Sequence, residues 1–119
     1  MGTFSVPVTI VNPMDPTRHV TLECLVDTGA TCSIIPAPVL EQLGIRLLRE
    51  DTFTVATGEQ RTWTMGGVQL QVNGRTGWSM AVLGPVATPP VIGSHGLEAL
   101  GLGVDPMRRR LIPITPLAL

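Results

Sequence analysis

The sequence predicts a single all-β domain that carries one or two short helices. Hydrophobic residues make up 44% of the 119 residues but aromatic residues only 3%, so the core has to be built from Val, Leu and Ile, which favour strands. The 13 Gly and 11 Pro are typical of a sheet with many turns. A chain of this length holds one modest core, and no shift in composition divides residues 1–119, so we expect one domain.

Net charge and hydropathy narrow the possible partners. The net charge is −1 and every basic residue is an arginine, with one cluster at residues 108–110, so we expect no nucleic-acid partner. No stretch approaches the roughly 20 apolar residues that a membrane span needs. The first residues lack the basic start and the long apolar run of a signal peptide. We therefore expect no membrane association and a cytoplasmic location.

The cysteines and histidines offer no metal site. Cys24 and Cys32 are too few and too close together for a secreted disulfide framework or a zinc site, and we interpret them as a buried thiol and a loop thiol. His19 and His95 lie far apart in the sequence without neighbouring ligands, which disfavours a metal centre and a Ser-His site. We expect neither a metal nor a cofactor.

Two strands and a turn open the chain. Alternating apolar residues predict strands at residues 3–11 and 20–26, and residues 12–19 supply the Pro and Asn of a hairpin turn. Side chains in a strand alternate with a period of two, so Leu25 and Asp27 lie on the same face. The second strand thus delivers a carboxylate into a tight turn of small residues, although burying an unpaired carboxylate is expensive.

Short helices and further hairpins follow. Residues 36–43 predict a short helix, since Pro lies at its start and Gly44 just past its end. A second short helix, at residues 94–100, is capped by Gly101. The remaining predicted strands are residues 46–56, 61–65, 68–72 and 78–83, with hairpin tips at 57–60 and 73–75 and an edge or terminal strand in the Pro-interrupted residues 104–119.

The tripeptide Asp27-Thr28-Gly29 is the candidate for chemistry. It follows an apolar strand in LVDTGAT and leads through Ala30 towards the first predicted helix. A weak internal sequence similarity indicates two similar halves, because VIGSHGLEALG in the second half also runs from an apolar pair through a Gly turn into a helix. Together these segments resemble the active-site turn and the second turn and helix of the retropepsin-type aspartic proteases, a single-lobe family that includes the retroviral enzymes and bacterial relatives.

The resemblance implies a retropepsin-like acid protease barrel that is active as a homodimer. Peptide hydrolysis by this route uses two carboxylates that share one proton. Because this chain has one Asp-Thr-Gly, Asp27 of each subunit would meet its copy across a two-fold axis. Thr28 would lock the two turns together, and Gly29 would let backbone approach the catalytic group. The terminal segments, residues 3–8 and 110–119, would interleave at the dimer interface.

The same resemblance implies an extended polypeptide as substrate. VATGEQ lies where the family carries a glycine-containing flap, so the hairpin at Gly58 would close over the peptide. Apolar side chains would then occupy pockets lined by Leu25, Ala30, Pro89 and Val91, with Val82 as a further candidate.

This sequence departs from the retroviral pattern at a bracing ion pair. Retroviral members carry Arg-Asn or Arg-Asp after the apolar-apolar-Gly turn, and the Arg binds an Asp just beyond the catalytic turn. In this sequence Ser94-His95 stands in place of the Arg-containing pair, and Thr31-Cys32 stands where the Asp would be. Both partners of the ion pair are therefore missing.

Other interpretations of the motif stay open. A peptide-binding or dimerisation module with little catalysis would bind extended peptides and leave them intact. A structural β domain in which Asp27 only bonds its own backbone would be monomeric. We interpret Asp15 and Asp105 as turn residues and residues 108–110 as a solvated strand face. Trp63 and Trp78 are interpreted as packing groups, with substrate contact as the alternative for Trp63 on the hairpin.

Overall fold

The computed structural model describes residues 3–114, which form strands and two short helices. In chain order the elements are β1 (Ser5–Asn12), β2 (Asp15–Val26), β3 (Ser33–Pro36), α1 (Ala37–Gln42), β4 (Leu47–Thr54), β5 (Gln60–Val72), β6 (Arg75–Gly84), β7 (Val91–Ile92), α2 (Ser94–Leu100), β8 (Leu102–Asp105) and β9 (Arg110–Pro113). The prediction of an all-β fold with short helices is confirmed. Neither helix in this range is long and apolar enough to cross a membrane.

Seven strands form one sheet that closes on itself. The strand order is β1-β2-β7-β3-β6-β5-β4, and β1 also pairs with β5, so six strands complete a barrel and β4 extends beyond it. Closure removes the free edges that a flat sheet would expose. Two of the pairings, β2 with β7 and β3 with β6, are parallel. The strands β8 and β9 form a separate antiparallel hairpin.

The core fills the barrel with aliphatic side chains, as the composition predicts. Val8, Ile10, Cys24 and Leu70 are each no more than 1% exposed, and they come from three different strands. On β2 the alternation is as expected, since Cys24 is buried while the opposite face remains open to solvent or half-buried. The helices pack against this core through Leu40 on α1 and through Leu97 and Leu100 on α2.

Local turn signals are confirmed where glycine supplies a left-handed backbone. The two-residue turn between β5 and β6 has positive φ at Asn73 (51°) and Gly74 (78°), the conformation that tight hairpins favour. Helix α2 ends at Gly101, whose φ of 68° matches a left-handed cap. Gly44, just past α1, has φ 71° for the same reason.

The turn between β1 and β2 is shorter than predicted. Only Pro13 and Met14 separate the two strands, because β2 already begins at Asp15, which pairs with Asn12. The register then shifts, so that Val11 pairs with His19 and the residues between form a local irregularity. Asp15 nevertheless acts as the predicted turn residue, since its Oδ1 accepts hydrogen bonds from the amide and hydroxyl of Thr17.

The prediction of separate strands at residues 61–65 and 68–72 is wrong. A single strand, β5, runs through Gly66 and Gly67, because their backbone pairs with Leu47 on one side and with Ala81 and Met80 on the other. The two glycines thus permit close contact across the sheet rather than interrupting it.

The end of the chain folds back instead of forming one strand. Asp105 begins the turn between β8 and β9 by accepting hydrogen bonds from the amides of Met107 and Arg108, as its prediction as a turn residue requires. Arg108 and Arg109 therefore lie in this turn and not on a strand face, and only Arg110 begins β9. Of the terminal segment predicted to interleave between subunits, residues 115–119 lie outside the described residues.

Helix α2 packs closely against β6 at Gly77, where the strand has no side chain. A Cβ at this position would collide with the carbonyl group of Ala99, so Gly77→Ala is expected to lower the free energy of unfolding by about 1–3 kcal/mol. Urea denaturation measures the difference. The matched control is Thr76→Ala at the exposed neighbouring residue, which should stay within about 0.5 kcal/mol of the parent. Equal stability of the two variants would contradict the close contact.

Candidate active site

The end of β2 is held on both sides before the chain turns. On one side the amide of Val26 donates to the carbonyl of Phe4 at 2.9 Å. On the other, β2 runs parallel to β7, the amide of Leu25 donates to Pro90 O at 2.9 Å, and the amide of Asp27 donates to Ile92 O at 3.1 Å. The backbone of Asp27 is therefore fixed by the sheet, although its side chain projects beyond it.

A tight turn orients the carboxylate of Asp27. The amide of Ala30 donates to Asp27 O at 3.1 Å and closes the turn. The amide of Gly29 donates to Asp27 Oδ1 at 2.9 Å, so one carboxylate oxygen is held by the backbone of its own turn. A Cβ at Gly29 would stand 3.2 Å from the same oxygen, which explains why a glycine suits this position.

The turn between β7 and α2 braces the turn at Asp27 through backbone hydrogen bonds. The amide of Ser94 donates to Ala30 O at 2.7 Å, and the amide of His95 donates to Thr31 O at 3.1 Å. Gly93 lies so close that a Cβ there would be 2.6 Å from Ala30 O. The turn at Asp27 is therefore braced within this chain without charged side chains.

The three motif residues are exposed in the isolated chain. Asp27, Thr28 and Gly29 all face solvent, which removes the expected penalty of a buried carboxylate. Within residues 3–114, Asp27 takes part in no ion pair. A small cavity of about 70 Å³ adjoins the carboxylate and is lined by Phe4, Val104 and Pro106 among others. No local pattern of residues indicates that the β8–β9 hairpin lies here, because its position depends on contacts distant in the chain.

A row of apolar side chains extends from Asp27 across the sheet. Leu25 pairs in register with Val91, and Val91 pairs with Ile34, so the three side chains lie next to one another on neighbouring strands. All three are half-buried and form an apolar strip on the sheet, which we call the cleft floor. Leu25 and Val91 were predicted, whereas Ile34 was missed; its signal is the pair Ile34-Ile35, of which only Ile35 is buried in the core.

The other residues predicted to contact substrate differ in their exposure and packing. Ala30 is half-buried beside the turn, and Pro89 is exposed two residues before Val91. Gly58 lies at the tip of the β4–β5 hairpin with φ 85°, and nothing lies within 4 Å of the point where a Cβ would stand, so it does not pack on the turn. The side chain of Val82 is only 1% exposed, and it borders a cavity that Ile34 and Trp63 also line, so its role as a pocket residue stays a prediction.

A larger cavity lies where the β4–β5 hairpin leaves the barrel. It has a volume of about 750 Å³, and its lining includes Ile34, Leu83, Arg61 and Trp63. Trp63 is half-buried and packs against Phe53 with 5.2 Å between ring centroids. Ile34 belongs both to the lining of this cavity and to the cleft floor. Arg61 was not predicted as a site residue.

Neither cysteine is suited to act as a nucleophile. Burial, with a smaller effect of Glu23, raises the pKa of Cys24 to about 12. Burial also raises the pKa of Cys32, an effect that Arg49 opposes and Asp51 reinforces. Neither thiol forms a disulfide. Because the pKa of each thiol is raised, both stay protonated near neutral pH and the reactive thiolate is scarce. No group of three His, Cys, Asp or Glu side chains within residues 3–114 is arranged to hold a metal ion.

Comparisons with known proteins agree on one family. Residues 17–99 match the family model described as "gag-polyprotein putative aspartyl protease", and this range includes both the turn at Asp27 and the turn before α2. No curated protein sequence is significantly similar to the chain.

Two solved structures are similar in fold. One is the EIAV protease in complex with an inhibitor, with 19% identity, 84% of this chain and 89% of that chain covered, and a TM-score of 0.59. The other is the protease of simian foamy virus, with 15% identity, coverage of 78% and 92%, and a TM-score of 0.55. At these identities the likeness shows the fold, which is the predicted retropepsin-like barrel.

The buried hydroxyl of Ser33 connects the two turns of the site. Its Oγ accepts a hydrogen bond from the amide of Gly93 at 3.1 Å, and Ser33 is 1% exposed. Ser33→Ala leaves that amide without a partner and is expected to lower the free energy of unfolding by about 1–3 kcal/mol. Chemical denaturation measures the loss, and Ser5→Ala at an exposed position of β1 is the control. Unchanged stability would mean that this bond does not support the site.

Proposed function

Because the chain belongs to the gag-polyprotein aspartyl protease family, we propose that it is an aspartic endopeptidase that cuts extended polypeptides as a homodimer. One observation carries this proposal. The Asp27 carboxylate is fixed by the end of β2 and by the Gly29 amide, yet it is exposed and takes part in no ion pair among residues 3–114. A fixed and exposed carboxylate at this position is free to meet a second carboxylate, as the chemistry of an aspartic protease requires.

A second copy of the chain supplies the second carboxylate. Two carboxylates about 3 Å apart cannot both ionise, so they share one proton and differ in role. The chain contains one Asp-Thr-Gly, and a two-fold axis beside the turn would place Asp27 next to its copy. Thr28 and Gly29 lie exposed on the same turn, where each would face its own counterpart across the axis.

Proton transfer between these groups accounts for hydrolysis. The ionised Asp27 takes a proton from a water molecule as the water oxygen attacks the scissile carbonyl carbon, and the protonated Asp27 of the other copy donates its proton to the carbonyl oxygen. The resulting tetrahedral diol collapses when one of its hydroxyl groups gives a proton to the ionised carboxylate. At the same time the protonated carboxylate gives its proton to the amide nitrogen. The C–N bond then breaks to release an acid and an amine, and the pair again holds one proton.

The cleft favours a substrate with apolar side chains near the cut. The floor residues Leu25, Val91 and Ile34 lie next to Asp27, and Ala30 and Pro89 flank them. Gly58, at the hairpin tip with open space around it, is free to move over a bound peptide and to donate backbone hydrogen bonds.

A binding module with weak catalysis is the second candidate. The observation that favours it is the uncharged pair Thr31 and Ser94, which leaves the dimer without the ion pair of retroviral members. Such a protein would bind extended peptides through the same cleft and leave them intact.

Replacement of the carboxylate by an amide tests the catalytic role. Asp27→Asn keeps the size of the side chain but removes the base, so cleavage of a peptide library should fall by about 10³-fold or more. Mass spectrometry between about pH 3 and pH 7 detects the fragments. The matched control is Asp15→Asn, at the far end of the β1–β2 hairpin, which should cut normally. Full activity of Asp27→Asn would refute the mechanism, and intact peptides that bind the unmodified dimer would favour the binding module.

Mixing of subunits tests whether two copies share one active site. Addition of an equal amount of Asp27→Asn protein to the unmodified protein, followed by exchange of subunits, should reduce cleavage to about half, since mixed dimers hold one functional carboxylate. Specific activity should also fall on dilution. Activity that stays proportional to the unmodified protein alone, at any dilution and in any mixture, would show that a single chain is sufficient.

A further inference from the structure

A second apolar groove lies at the opposite end of the molecule from Asp27. It has a volume of about 610 Å³, and we call it the outer groove, defined by Met14, Arg46, Leu48, Gly67, Trp78 and Met80. Its edge lies at the β1–β2 turn, next to Asn12 at the end of β1. Ser5, seven residues earlier on β1, pairs with Leu25 near the turn at Asp27. Seven residues of strand span roughly 23 Å. The outer groove is therefore separate from the cleft beside the catalytic turn.

The outer groove is built by an irregularity in the sheet. Between β4 and β5 the register shifts, because Leu47 pairs with Gly66 and Arg49 with Met65, which leaves Leu48 as an extra residue. Such bulges redirect a side chain. Here the side chain of Leu48 lies over Gly67, since a Cβ on that glycine would be 3.3 Å from Leu48 Cδ1. The bulge and the glycine together leave a recess beside β6.

The opposite wall is held in place by a buried amide. Asn12 is 6% exposed, and its Nδ2 donates to the carbonyl of Leu43 at 2.9 Å. Its Oδ1 accepts a hydrogen bond from the amide of Met14 at 2.8 Å. The backbone of Met14 is thus fixed although its side chain is 82% exposed. The outer groove exists before any ligand binds, which reduces the entropy that binding has to overcome.

The apolar surface of the outer groove is unusually open to water. Leu48 is 54% exposed and Trp78 is 64% exposed. Met14 is a third large hydrophobic side chain of the outer groove that is exposed to solvent. A contiguous apolar patch of this kind indicates a binding surface.

One arginine at the rim is without a partner. Within residues 3–114, the other seven arginines each bond a carboxylate or a backbone carbonyl, and Arg46 makes no such contact. An unpaired guanidinium beside an apolar recess complements a molecule that joins an apolar body to a carboxylate.

We propose that the outer groove binds a small amphipathic carboxylate of the fatty-acid type. Its chain lies across Leu48, Trp78 and Met80, and its carboxylate bonds Arg46. A small molecule fits better than a peptide for two reasons. The volume lies within the range of roughly 300–1,000 Å³ typical of small-molecule sites. On the floor, β5 pairs with β6 along one edge and with β4 and β1 along the other, so an extended peptide finds no free edge on β5.

Titration with decanoate, below the concentration at which it forms micelles, tests the proposal. Tryptophan fluorescence reports binding through Trp78, and calorimetry gives the dissociation constant. Saturable binding is expected, and Trp78→Phe should abolish the fluorescence change while Trp63 remains. Arg46→Gln should raise the dissociation constant about fivefold, and Leu48→Glu, at an exposed position, by more than tenfold. Arg110→Gln, away from the outer groove, is the matched control and should bind as the parent does.

Three results would overturn the assignment. Decanol that binds as tightly as decanoate would show that Arg46 recognises no charge. A fluorescence response that survives Trp78→Phe would place the ligand at the cavity beside Trp63. A change in oligomeric state caused by Leu48→Glu would identify the outer groove as a contact between copies of the chain. Because none of these measurements uses proteolysis, the outcome is independent of the proposed peptidase activity.

Discussion

The short parallel contact between β2 and β7 supports both the fold and the site. Two hydrogen bonds, from Leu25 to Pro90 and from Asp27 to Ile92, join the strands. Since β7 contains only two residues and lies between β2 and β3, the same contact closes the barrel. The backbone that carries the candidate catalytic carboxylate is therefore fixed by the same hydrogen bonds that join β2 to β7 within the barrel.

The brace below the turn at Asp27 consists of backbone hydrogen bonds. Amides at Ser94 and His95 bond the carbonyls of Ala30 and Thr31. Backbone bonds of this kind do not titrate, and salt screens them far less than it screens exposed charges. Gly93 makes this close approach possible, because any side chain there would meet Ala30 O and Cys32 O. The turn at Asp27 is therefore braced within one chain without a charged side chain.

Features encoded by neighbouring residues could be predicted from the sequence, and features that depend on distant contacts could not. The Asn73-Gly74 hairpin, the Gly101 cap and the turn at Asp27 each follow from a few adjacent residues, and all three are present. By contrast, β5 continues through the glycines 66–67 because two other strands pair with them. The placement of Pro106 beside the turn at Asp27 likewise results from tertiary packing, for which no local pattern exists.

The exposure of Asp27 explains how one chain can be stable before it becomes active. In the isolated chain the carboxylate is hydrated, so folding does not require a partner. In the proposed dimer two such groups approach to about 3 Å, which requires the pair to take up a proton. Folding and the proposed association are therefore separate steps, because only the second brings the two carboxylates together.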